Sequence, residues 1–311
     1  MNAAITLPKV SSLQQEGNME TWFSCFIAFV DASPKTVETY KRAIRQFISW
    51  LYAQGITAPT RETVLAWRAA LEVSHKPTTI QGYIVAVRRF FSWLEDSGLY
   101  KNVAANVKGA KIDKNFKKDY LTPDQLKAVL AGIKRDTAQG RRDYAITALM
   151  ATCGLRDIEV SRACIGDLRT LGAQTVLYIQ GKGRAEKTEF VIIPAQVESA
   201  IRASLADRNS ATDADPLFAS LSNNSAGKAM TTRSISGTIK GALRAAGYNS
   251  ERLTAHSLRH TAITLALIGG ATLQETQQYA RHASINTTMI YAHNLDRAAN
   301  TCSSKVANSI F

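Results

Sequence analysis

Apolar residues recur every three to four positions through most of this chain, and proline, glycine or a capping residue separates one run from the next. Residues 1–17 are polar without a clear period and read as a flexible N-terminal arm. From Asn18, the residues Trp22, Phe23, Phe26, Ile27, Phe29 and Val30 fall at helical spacing. Ser33-Pro34 then offers an N-cap with proline at the first helical position. The helix it opens carries Val37, Tyr40, Ile44, Phe47, Ile48 and Leu51 on one face and ends at Gly55. Thr60 opens a shorter helix with Val64, Leu65 and Trp67. Pro77 opens another, striped by Ile80, Tyr83, Ile84, Val87, Phe90, Phe91 and Leu94 and closed by Gly98. Four helices on short connections predict a compact bundle over residues 18–107.

The period fails over residues 108–119, where KGAKIDKNFKK packs five lysines into a segment that reads as a linker. A second domain is expected over residues 120–296. It starts at Thr122-Pro123-Asp124-Gln125, a capping box with proline at its first helical position. Leu126, Val129 and Leu130 form the buried face there, and a following helix through Tyr144, Ile146, Leu149 and Met150 stops at Gly154. The period then drops to two. Residues 175–180 and 188–193, joined by GKGRAEK, predict an antiparallel hairpin. Helix resumes after Pro194, residues 208–230 read as loop, and helix returns from about Thr232 to Gly247. Gly269-Gly270 ends one further helix, Thr272-x-x-Glu275 caps the next, and Ser284 is placed to cap a last short helix. Residues 297–311 form a weakly amphipathic tail with Val306, Ile310 and Phe311. The expected fold is mainly α, with a four-helix N-terminal domain and a larger, mostly helical second domain holding a small antiparallel β-sheet.

Composition leaves this picture unchanged, since 45% apolar and 20% charged residues are ordinary for a globular protein. Charge alters it. The net charge is +13. Lys and Arg outnumber Asp and Glu by 11 to 7 over residues 18–108, by 4 to 2 over 109–119 and by 22 to 15 over 120–311. Both domains and the joining segment are therefore positive, which favours a polyanion and most simply nucleic acid. Candidate phosphate contacts are Lys41, Arg42, Arg45, Arg88 and Arg89 on the helices of the first domain, Lys111, Lys117 and Lys118 in the linker, and Arg184 in the hairpin. Cys25, Cys153, Cys164 and Cys302 form no C-x-x-C pair; Cys25 and Cys153 sit in apolar helical contexts and are expected as buried thiols, and a reducing compartment is expected. Neither an 18-residue apolar run nor a signal-peptide core is present, so a cytoplasmic protein without membrane contact is expected.

Chemistry concentrates between His256 and Tyr291. Four of the five histidines, His256, His260, His282 and His293, lie in or just past this stretch with Arg259 and Arg281. Such a density of imidazole and guanidinium suits a site that holds phosphate and moves protons. His256 and His260 stand four apart, but Ser257 occupies the place where a zinc H-E-x-x-H needs glutamate, and no third ligand is evident. Upstream, Arg156 follows the helix-ending Gly154, with Glu159 three residues on to hold it. Lys182 sits between two glycines of the hairpin, where the backbone can approach another molecule closely. No metal or cofactor motif is found.

H-x-L-R-H at 256–260, His282, and Tyr291 nine residues later resemble the tyrosine recombinase (phage integrase) family. The upstream G-L-R-x-x-E at 154–159 and G-K-G at 181–183 match the same family in order. The resemblance spans about residues 18–296 and implies a SAM-like core-binding domain followed by a catalytic domain. It implies a site-specific recombinase that closes on duplex DNA with both domains and works as a tetramer on two sites, with room for an accessory directionality factor. By the same resemblance Arg156 and Arg259 clamp the scissile phosphate. Tyr291 attacks it to form a 3′-phosphotyrosyl link, His256 is the candidate base, Lys182 protonates the leaving 5′ oxygen, and His282 orders the phosphate. Glu159 orients these groups, and no cofactor or metal is required. A relaxing type IB topoisomerase, or a silent DNA-binding accessory protein, is the alternative. The chain departs from the pattern in one place: family members often have Leu-Gly before this histidine, and here Ala280-Arg281 stands instead. Arg281 adds a cation near the site, directed either to a phosphate or to the surface. The tail after the tyrosine often docks on a neighbouring protomer in this family.

Overall fold

A computed structural model describes residues 18–112, 119–181, 186–206, 208, 210–298 and 302–310. The chain divides into two compact units, Met1–Asn115 and Phe116–Phe311.

In the first unit the helices are α1 (Met19–Phe29), α2 (Pro34–Ala53), α3 (Arg61–Glu72) and α4 (Pro77–Asp96). Their starts follow the capping residues. The side chain of Ser33 accepts the Thr36 amide at 3.3 Å, and Thr60 accepts that of Thr63 at 3.4 Å. Gly55 and Gly98 stop α2 and α4 with φ of 66°, a conformation that costs other residues a clash at Cβ. The apolar stripes meet in one core. Phe47 lies edge-on to Trp67 at 4.9 Å and to Phe91 at 5.9 Å between ring centres, and all three are essentially without solvent contact. Truncating one of these aromatics costs about 3–5 kcal/mol, so the bundle depends on them. The basic residues stay outside it: Arg42, Arg45, Arg88 and Arg89 are exposed and Lys41 is half-buried. Arg88 and Arg89 line a groove of about 460 Å³ with Asn102 and Asn106.

The second unit holds α5 (Pro123–Ala131), α6 (Ala138–Cys153), α7 (Asp157–Arg162), α8 (Ala195–Leu205), α9 (Thr232–Ala245), α10 (Ala255–Ile268), α11 (Leu273–Ala280), α12 (Ile285–Ala298) and α13 (Cys302–Ile310). Residues 145–151 of α6 are buried on every face, which makes it the central helix of the unit. The Thr122 capping box of α5 forms as its sequence implies, with Thr122 and Gln125 exchanging backbone-to-side-chain bonds of 2.9 and 3.3 Å.

Two elements differ from expectation. The sheet has three antiparallel strands in the order β1 (Leu168–Leu171), β2 (Gln174–Ile179) and β3 (Glu189–Ile192), where a two-stranded hairpin was expected. β1 is mostly exposed and reads LRTL, so it shows no alternation to betray it; the two-residue turn at Gly172, with φ of 58°, pairs Leu171 with Gln174. The tyrosine-bearing helix α12 is also no short helix, since it spans 14 residues. The tail beyond it forms α13, none of whose described side chains is buried.

Candidate active site

The site begins where α6 ends. Gly154 takes φ of 58° as the C-cap, which turns the chain so that Arg156 becomes the residue before α7 and Glu159 sits in the first turn of that helix. Glu159 is fully buried and reaches back, accepting the Arg156 amide at 2.8 Å and the Arg156 guanidinium at 2.7 Å. A third bond comes from Arg281, 3.0 Å from the same carboxylate. Burial alone would raise the carboxyl's pKa. Arg281, then the bonds and charge of Arg156, hold it below the usual carboxylate value instead, so it is ionised at neutral pH.

α10 supplies the second arginine. Arg259 is 2% exposed, and its guanidinium donates to the Gly154 carbonyl at 2.5 Å and to the Ala280 carbonyl. One side chain thereby ties the end of α6 to the end of α11. Burial, with Arg156 and Arg281 nearby, pulls its pKa down to about 10, so Arg259 is charged at pH 7 but held where an added anion would relieve it. His256 stands on the first turn of α10 and is exposed. His260, one turn on, is buried with its ring 4.8 Å from that of His256 and 5.1 Å from that of Tyr291.

α11 and α12 bring the rest. The Thr272–Glu275 capping box sets the start of α11, and its last turn closes at Arg281 with φ of 53°. A non-glycine residue pays about 1–2 kcal/mol for that left-handed conformation. His282 follows, its Nδ1 2.9 Å from the hydroxyl of the fully buried Thr288. Burial, then Arg259 and Arg156, push His282 down to about 4, so this imidazole is neutral at physiological pH. Tyr291 is 5% exposed and its ring stacks on His282 at 6.0 Å. Burial lifts its phenol to about 12, against the pull of Arg259 and Arg156. A cleft of about 820 Å³ opens here, lined in part by Arg156, Gln277, Arg281 and His282.

Arg156, Glu159, Arg259, His282 and Tyr291, which the sequence places in one site, thus lie together, and His256 lies beside them through His260. Lys182, Arg184, Lys117 and Lys118 fall outside the described residues; Lys111 is exposed. Lys187, on the same hairpin as Lys182, is engaged elsewhere, 2.5 Å from Asp167. Arg281 is not a surface cation, because its side chain is only 7% exposed and faces Glu159. Three participants escaped the sequence reading as site residues: His260, Thr288 and the backbone carbonyls that hold Arg259. Only His260 left a signal, through its spacing from His256. Among the described residues no group of three or more His, Cys, Asp or Glu could hold a metal ion. No described helix is long and apolar enough to cross a membrane.

Two guanidiniums, a neutral imidazole and a phenol gathered beside one cleft make an arrangement suited to binding a phosphodiester. Comparison with known proteins makes this particular. Residues 119–298 match the phage integrase family and residues 22–98 its N-terminal SAM-like domain, so this chain belongs to the phage integrase family. It is 29% identical to the tyrosine recombinase XerC of Pelobacter propionicus over 272 residues, covering 85% of this chain and 87% of that protein. It is 26% identical to a tyrosine recombinase of Synechococcus elongatus over 273 residues, covering 83% of this chain and 84% of that one. The fold agrees with XerH site-specific recombinase bound to its palindromic difH substrate, with a TM-score of 0.72, 20% identity and coverage of 94% of this chain and 90% of the other. The protein is a tyrosine recombinase, an enzyme that cuts and rejoins DNA strands, and the topoisomerase and accessory readings fall away.

Proposed function

We propose that Tyr291 is the nucleophile of this recombinase and that Arg156 and Arg259 are the clamp on the scissile phosphate. The observation that carries this reading is the gathering of Arg156, Arg259, His282 and Tyr291 from four separate helix termini or faces, with Arg156 and His282 lining the cleft and Tyr291 stacked on His282 beneath it. In the proposed step the Tyr291 hydroxyl attacks phosphorus and gives up its proton, with His256 as the base. The P–O5′ bond breaks, and Lys182 returns a proton to the leaving oxygen. The products are a 3′-phosphotyrosyl enzyme and a free 5′-hydroxyl, so the phosphodiester's bond energy is kept and the reverse attack by a new 5′-hydroxyl reseals the strand. Guanidinium forks bind two oxygens each and stabilise the charge that builds on the five-coordinate phosphorus. A phenol whose pKa burial raises to about 12 is almost wholly protonated at neutral pH, so in this reading attack needs a base to take its proton.

The partner is double-stranded DNA carrying a recombination site, and the contacts assigned to the first unit are Lys41, Arg42, Arg45, Arg88 and Arg89. Lys111, Lys117, Lys118 and Arg184 add to the phosphate contacts. The working assembly in this reading is a tetramer on two sites in the cytoplasm, serving integration and excision or dimer resolution, with an accessory factor setting direction. Lambda integrase, similar in fold with a TM-score of 0.67, has been captured as a tetramer on a Holliday junction. Residues 18–107 act as the core-binding domain, 108–119 as linker and 120–296 as the catalytic domain. The arm, residues 1–17, and the tail, residues 297–311, lie outside these two. Covalent capture of nicked duplexes from a random-core library tests the reading. Recovery of one sequence class on the wild type supports a site-specific recombinase, and recovery of nothing contradicts it.

A further inference from the structure

Arg281 occupies the place where the family pattern often has glycine, in a backbone conformation that favours glycine. Its side chain turns inward and ties three segments together. It donates to the Tyr279 carbonyl at 2.8 Å, to the Gly154 carbonyl at 3.2 Å and to Glu159 at 3.0 Å. Gly154 caps α6, Glu159 lies in α7, and Arg281 itself sits between the Ala280 carbonyl that holds Arg259 and the ring of His282. Its Nε is buried and has no hydrogen-bond partner among the described residues. The guanidinium also lines the cleft beside Arg156 and His282.

We propose that Arg281 is a positioning residue for phosphate capture, one that shares Glu159 with Arg156 so that the carboxylate offsets only part of the charge Arg156 brings to the cleft. The proposal rests on the reading that this cleft takes the scissile phosphate. A carboxylate with one guanidinium makes a nearly neutral pair. Here a single carboxylate, Glu159, is bonded to two guanidiniums, and a third, Arg259, donates to the carbonyl that Arg281 also uses. Positive charge is left over around the cleft, although Glu189 also lines it. That excess favours an anion bound there, and favours still more a transition state whose phosphorus oxygens carry extra negative charge. Arg281 also holds the turn that presents His282, so its effect reaches both halves of the site.

The test uses the full chain and the duplex selected by covalent capture, made with either a phosphodiester or an uncharged methylphosphonate at the scissile position. The variants are R281G, whose backbone suits the turn, R281N, which also tolerates it, and R281K, which keeps the charge. R281G and R281N are expected to melt below the wild type, since the relief of the left-handed turn offsets only part of the buried pair they lose, yet to be folded at the assay temperature. They should bind the duplex within about twofold and cleave the phosphodiester about tenfold more slowly. Their loss on the methylphosphonate should be several-fold smaller, and R281K should recover part of the phosphodiester rate. Equal losses on both substrates, or no loss, overturn the proposal, because a residue that only packs the turn cannot sense the substrate's charge. A wild type that forms no adduct strikes the proposed function instead. Sulfate then reads the cleft without catalysis: it should stabilise the wild type against heat more than R281G, and equal stabilisation overturns the role given to Arg281.

Discussion

Arg156 and Glu159 are joined twice, through the backbone amide and through the guanidinium, at 2.8 and 2.7 Å. The carboxylate is fully buried while the arginine side chain keeps 28% of its exposure. Glu159 is the buried anchor, and Arg156 is the end that lines the cleft. Because the backbone bond fixes where α7 begins, the direction of Arg156 is set by the helix start itself.

Glu159→Gln keeps the shape and removes the charge that balances Arg156 and Arg281. Loss of a buried partner of this kind costs about 3 kcal/mol, so the melting temperature should drop measurably. Cleavage should fall more than the folded fraction accounts for, because Arg156 is no longer aimed. Calorimetry and single-turnover cleavage on the same preparation check both parts.

Arg259→Lys retains a cation but lacks the fork that reaches the Gly154 and Ala280 carbonyls together. Cleavage is expected to fall by about a hundredfold or more, while DNA affinity, carried by many other phosphate contacts, changes little. Filter binding beside a cleavage time course separates the two.

Tyr279 is the other tyrosine near the cleft, and its hydroxyl donates to the Thr152 carbonyl at 2.5 Å. Burial raises its phenol further than that of Tyr291. Tyr279→Phe should lose about 1 kcal/mol of stability with one hydrogen bond and should still form the covalent adduct.

The reach of the sequence follows from these contacts. Helix starts at Ser33, Thr122 and Thr272 were legible because capping is local chemistry, written within three residues. Arg156 and Glu159 were legible as a pair for the same reason. The role of Arg281 was not, because its partners Gly154 and Glu159 lie more than 120 residues away. Strand β1 escaped because its side chains are largely exposed and carry no alternation. The family motif supplied what no period could: that residues 156, 259, 282 and 291 belong to one place.

His282 is held neutral, with a pKa of about 4 against 6.5 for a free imidazole. The unfolded chain therefore binds more protons than the folded one between those values, and stability must fall as pH drops from about 6.5 toward 4. In His282→Asn this part of the acid sensitivity should vanish. Melting curves of both proteins across that range should converge at low pH, and parallel curves would remove His282 as the titrating group.

Covalent capture on Tyr291 tests the account most directly. Wild-type protein is incubated with the selected suicide duplex, digested, and the DNA-linked peptide sequenced by mass spectrometry. The expected result is a single adduct at Tyr291 on the 3′ end of the cut strand, absent from Tyr291→Phe although that variant still binds DNA. An adduct on another residue, or one that survives in Tyr291→Phe, would contradict the assignment.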